Sequence, residues 1–158
     1  MHSLVRRYIK TAIVFLFVGL AIAGWMIVER DLYHRFPSPY ATSAHTHAIL
    51  VGFVMMMILG VALWLFPRPD KQDQRYKPAL VLAAYWLLTV GTAVRVLGEL
   101  AEAVGGPAPG DAAPLWLRAS VVAGGFAQII GLMLFFLTMW SRIRALGSAA
   151  RERAGERF

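Results

Sequence analysis

Cysteine is absent from the 158 residues. That excludes disulfides, thiolate metal sites, iron–sulfur clusters and covalent haem attachment through C-x-x-C-H, and it leaves the compartment open. Charge is also scarce. Asp, Glu, Lys and Arg make up 16% of the chain, against about 25% in an ordinary soluble domain. Acidic residues are the rarer sign, 9 against 16 basic ones. The sequence shows no period-two alternation, low-complexity stretch, soluble domain or internal repeat, so a β-barrel or repeat array has no support. Apolar residues take up the difference, at 58% hydrophobic with a mean hydropathy of +0.58. Disordered chains, nucleic-acid-binding tails and disulfide-stapled secreted modules do not have this composition.

The apolar residues fall into four runs, approximately 8–28, 44–66, 78–97 and 114–140. Each reaches the roughly 20 residues that cross a bilayer core at about 1.5 Å per helical residue. Helices satisfy their own backbone in lipid. The expectation is an all-α membrane protein, a four-transmembrane-helix bundle forming a single domain over residues 1–158, with a short basic C-terminal tail. Arg6, Arg7 and Lys10 ahead of the first run, with Ala21-Ile22-Ala23 inside it, also suit a signal peptide. The run continues to Val28, however, past the usual core of about 7–15 apolar residues. The reading is a retained helix.

Charge sets the orientation. Arg6, Arg7 and Lys10 precede the first run; Arg68, Lys71, Arg75 and Lys77 lie between the second and third; Arg142, Arg144, Arg151, Arg153 and Arg157 follow the fourth. The other two connections carry Arg30 and Arg35 with Glu29 and Asp31, then Glu99, Glu102 and Asp111. Basic residues thus cluster on one side, which places both termini in the cytoplasm by the positive-inside rule. The pI near 10.4 follows from this bias, and nucleic acid is not needed to explain it. The tail after Trp140 reads as a solvated basic end in contact with anionic lipid. Residues 105–110, Gly-Gly-Pro-Ala-Pro-Gly, read as an exterior turn-rich loop.

His45 and His47 begin the second run, near its exterior end. Residues at i and i+2 on a helix point about 200° apart, since each step turns about 100°. The two imidazoles therefore diverge and cannot chelate one ion, as the His pair at i, i+4 of a zinc helix does. They suit two different centres, or they are hydrated interfacial side chains. Gly52 lies two turns below His45, with Gly60 further on. Small residues there either make room for a flat macrocycle or let helices approach. Met55, Met56 and Met57 circle the helix and read as apolar filling.

Arg95 falls in the outer turn of the third run, and Arg118 near the outer start of the fourth. Each either snorkels to the interface or pairs with a buried anion such as a haem propionate. Gln128, midway along the fourth run, reads as an interhelical hydrogen-bonding group.

The stretch from Ser43 to Arg68 resembles haem-binding helices of the catalytic subunit of haem–copper oxidases and nitric oxide reductases, the C-type oxidases most closely. His45-Thr46-His47, Gly60 and Phe66-Pro67-Arg68 correspond to the His-x-His, glycine and proline of that family's tenth helix. The family's second helix, with one haem-ligating His at the position of His45, is similar too. Tyr85-Trp86 and the run from Ala127 to Leu132 look like parts of the same four-helix unit. The family subunit consists of three such arcs, and this chain resembles one of them. The copper-ligating histidines of the family and its His-Pro-Glu motif have no counterpart here, so oxygen reduction at a haem–copper centre is not implied.

The resemblance implies a b-type haem between His45 of one subunit and His47 of the next, with His45 and His47 as axial iron ligands. Gly52, Arg95 and Arg118 would line the cofactor. A closed ring then follows, a homotrimer in preference to a dimer. Two imidazoles make the iron low-spin and suited to electron transfer, with a quinol or periplasmic carrier as redox partner. The bilayer would be a bacterial-type cytoplasmic membrane, the haem near its exterior face. Two other readings stand beside this one: a cofactor-free accessory or assembly protein of a respiratory complex, and a haem protein that binds nitric oxide or another gas.

Overall fold

A computed structural model describes residues 3–66, 77–105 and 113–143. They form four long helices: α1 (Ser3–Asp31), α2 (Pro39–Leu65), α3 (Pro78–Gly105) and α4 (Leu115–Arg142). All four are long and apolar enough to span a membrane, and the described residues contain no strand. Large apolar side chains such as Phe17, Leu97 and Leu137 face outward. On four such helices that surface belongs against lipid.

Each helix exceeds the span that hydropathy marks, because its ends are set by backbone chemistry. In α2 the hydroxyl of Ser38 accepts from the Ala41 N–H at 3.2 Å, and Pro39 fills the first helical position, a pairing that starts helices efficiently. The helix therefore begins before Ala44 and carries both histidines inside it. It stops at Phe66, which is extended (φ −68°, ψ 143°), as steric crowding from a following proline requires. The α3 helix runs on through Leu97 to Gly105. Glu99 and Glu102, expected in a loop, are consequently helical and buried. Pro67, Arg68 and most of the α2–α3 loop lie outside the described residues, as do most of the 105–110 turn and the basic tail after Ile143.

The hydrogen bonding of α2 changes in its middle. From His47 to Met55 it is a π-helix, far longer than the single-turn π-bulge usually seen, and such bulges concentrate at functional sites. α-Helical bonding resumes at Met56.

Successive helices pack antiparallel, at short range where glycines allow it. A Cβ on Gly52 of α2 would lie 2.5 Å from the Phe15 ring of α1, and one on Gly60 3.0 Å from Tyr8. On the α3–α4 seam, a Cβ on Gly124 would lie 2.7 Å from the Gly91 carbonyl oxygen. Gln128 donates to Thr92 Oγ1 at 3.0 Å across this seam, as the sequence leads one to expect.

The core differs between the two ends. At the end carrying Arg6, Arg7 and Lys77, all four helices contribute, among them Tyr8, Met56, Leu88 and Phe135. Tyr8 packs edge-on against Tyr85 and Phe135, with centroids 5.2 and 5.8 Å away, and its hydroxyl donates to the Val81 carbonyl. Arg142, read from sequence as part of a solvated tail, is instead 5% exposed. It donates to the carbonyls of Leu63 (3.2 Å) and Phe66 (2.9 Å), satisfying the orphan acceptors at the end of α2. At the histidine end the core is small and draws on three helices: Ile22, Ala44, Ala48 and Val96.

Candidate functional site

His45 and His47 turn to opposite neighbours. His45 Nδ1 lies 3.0 Å from the carbonyl oxygen of Gly19 on α1. His47 Nδ1 lies 2.9 Å from the Ser43 carbonyl oxygen and 3.2 Å from Glu99 Oε2 on α3. Carbonyl oxygens only accept, so both Nδ1 atoms carry the proton and both Nε2 atoms keep a lone pair. Neither Nε2 has a hydrogen-bond partner among the described residues. This is the arrangement in which metal-ligating histidines are held, one nitrogen donating to an oxygen and the other left for the metal.

Glu99 is the residue that hydropathy alone misses. It is 3% exposed, and both its oxygens are engaged. Oε1 accepts from Ser43 Oγ at 2.8 Å and from Arg95 Nε at 3.1 Å, while Oε2 faces His47. The signal was present in the sequence. Arg95 and Glu99 stand at i, i+4, a spacing that pairs opposite charges on a helix face and that extends α3 past Leu97.

Of the residues singled out from sequence, the structure brings His47 and Arg95 together through Glu99. His45 lies across the helix from them, against α1. Gly52 is taken up by the contact with Phe15, so its smallness serves helix approach at that seam. Arg118 is exposed at the start of α4. Arg95 commits its Nε to Glu99, and its Nη atoms have no hydrogen-bond partner among the described residues. Met56 is fully buried in the core, as apolar filling.

Among the described residues no three His, Asp or Glu side chains are grouped to hold a bare metal ion. A macrocycle that brings its own four nitrogen donors asks less of the protein, one or two axial ligands. Two imidazoles with bonded Nδ1 and open Nε2 fit that requirement.

Fold and site together define a multi-pass membrane protein whose second helix presents one histidine to each neighbouring helix, one of them backed by a buried carboxylate. The family model of cytochrome c and quinol oxidase polypeptide I matches residues 3–151, and the chain belongs to that family. It is thus a membrane protein related to the haem–copper oxidases. No curated protein and no solved structure matches it.

Proposed function

We propose that the chain is a b-type haem protein that transfers electrons, its iron held by His45 of one subunit and His47 of the next. The observation that carries the reading is the divergence of the pair: His45 bonded to Gly19 on α1 and His47 to Glu99 on α3, each with Nε2 open. Family membership supports it, since haem is the cofactor of the haem–copper oxidases. One chain cannot turn both imidazoles to the same iron, so the reading includes a closed ring, a homotrimer in preference to a dimer. When bound, the haem supplies a reversible one-electron change at iron.

The chain's own residues do the rest. The Gly19 and Ser43 carbonyls fix the histidine tautomers. Arg95 and Arg118 supply positive charge at the histidine end, where propionates need it. The small core of Ile22, Ala44, Ala48 and Val96 keeps water from the roots of both histidines. In a bacterial cytoplasmic membrane this end faces outward by the distribution of basic residues, within reach of a quinol or a periplasmic carrier.

An absorbance spectrum of the purified protein tests the reading. A Soret band with split, sharp visible bands on reduction is expected. A folded, colourless protein contradicts it and favours a cofactor-free accessory role. A five-coordinate spectrum that shifts with nitric oxide favours gas binding.

A further inference from the structure

We infer that Glu99 is the positioning residue for His47: from a second helix it accepts the imidazole Nδ1–H, keeps Nε2 as the ligating nitrogen and raises the electron density of the ring. The inference rests on the haem reading and goes beyond it, because it makes the two histidines that would hold the haem unequal.

The Ser43 carbonyl, 2.9 Å from Nδ1, belongs to the same helix as His47 and moves with it. It selects the tautomer but cannot fix the ring against the rest of the protein. Glu99 does, because it comes from α3, 52 residues along the chain. The carboxylate is itself held. Ser43 Oγ and Arg95 Nε both donate to Oε1 at 2.8 and 3.1 Å, which leaves Oε2 for His47 at 3.2 Å. A carboxylate that is 3% exposed exerts its charge with little screening by water. Partners of this kind orient a metal-bound imidazole and strengthen it as a donor. Among the described residues His45 has only the neutral Gly19 carbonyl, at 3.0 Å. A ring made more basic stabilises the oxidised iron, so Glu99 lowers the reduction potential, and Arg95 offsets part of that effect.

The test uses the full chain as the haem-bearing oligomer in detergent. Wild type, Glu99→Gln and Glu99→Ala are compared by absorbance, by midpoint potential and by the rate of haem loss to an excess of a haem-accepting protein. Glu99→Gln keeps an oxygen acceptor without the charge. It should retain the low-spin spectrum and show a higher potential. Glu99→Ala removes the acceptor and should bind haem about 10–100-fold more weakly. Low-spin variants with wild-type potential and wild-type haem loss overturn the inference, because a residue that only packs α2 on α3 leaves both unmoved. Should Glu99→Ala not fold, the isosteric Glu99→Gln decides through the potential. A folded wild-type protein without haem overturns the haem reading and this inference together. A haem-bearing wild type with inert Glu99 variants overturns this inference alone.

Discussion

The Nδ1 of His47 and Oε2 of Glu99 meet at 3.2 Å between the second and third membrane helices. The contact ties the start of the π-helical segment to a half-buried ion pair, since Glu99 also holds Arg95 at 3.1 Å. Backbone distortion, buried charge and imidazole orientation thus coincide at one end of the molecule. The buried apolar cluster at that end comprises Ile22, Ala44, Ala48 and Val96 from three helices.

Arg95→Leu leaves the Glu99 carboxylate without its cation. Removing one partner of a fully buried pair costs about 3–5 kcal/mol, and the Arg95 side chain is 28% exposed, so the loss should fall below that range. The potential of bound haem should drop, because the remaining negative charge favours the oxidised iron. Combining it with Glu99→Gln should recover part of both effects, and thermal unfolding with redox titration of the four proteins measures the coupling.

Arg142→Met removes the donor from the carbonyls of Leu63 and Phe66. Each acceptor left unpaired in a buried setting costs about 1–3 kcal/mol, and the α2 end should fray. Arg142→Lys should restore only part of the stability, since an ammonium lacks the planar fork of guanidinium. Denaturation in detergent ranks the three proteins.

Two glycine substitutions should act in opposite directions. Gly124→Ala sets a Cβ 2.7 Å from the Gly91 carbonyl oxygen and 3.0 Å from the Arg95 backbone nitrogen. Backbone cannot swing aside, so α3 and α4 must part, at about 1–3 kcal/mol for overpacking. A methyl group on Gly24 would have nothing within 4 Å of it, and Gly24→Ala should stabilise α1 by up to about 1 kcal/mol through helix propensity. Melting temperatures decide both.

The basic residues predict that the C-terminus and the α3–α4 connection lie on opposite sides of the membrane, the C-terminus in the cytoplasm. Reporter fusions at the two points check it. An exterior C-terminus would invert the molecule and move the histidine end to the inner face.

Much of this fold was legible because a membrane helix is written in length and hydropathy. Residues 8–28 and 78–97 lie wholly inside α1 and α3, and Gln128 found the interhelical partner its polarity demanded. The ends were less legible. Hydropathy stops where charge begins, yet Glu99 and Glu102 continue α3 as buried helical residues, Glu99 with its charge satisfied inside the protein by Ser43, His47 and Arg95. Arg142 misled for the same reason: its charge suggested solvent, while its donors serve the end of α2. The π segment from His47 to Met55 has no compositional mark, since a shift from i+4 to i+5 bonding uses the same apolar residues. The divergence of His45 and His47 was legible, as it follows from helical rotation over two residues. Which oxygen each ring would meet was not, because Gly19 and Glu99 lie 26 and 52 residues away in sequence.

Shared ligation between subunits is the central claim, and mixing two defective proteins tests it most directly. His45→Ala and His47→Ala should each remove one ligand from every haem, so each alone should lose the six-coordinate low-spin spectrum. Subunits of the two variants are exchanged under conditions that allow reassembly, and low-spin haem is then read by absorbance. Some interfaces in the mixed ring join an intact His45 to an intact His47, and the account predicts that low-spin haem returns in proportion to them. No recovery in rings shown to contain both variants, or loss of low-spin haem in only one of the two single variants, would contradict it.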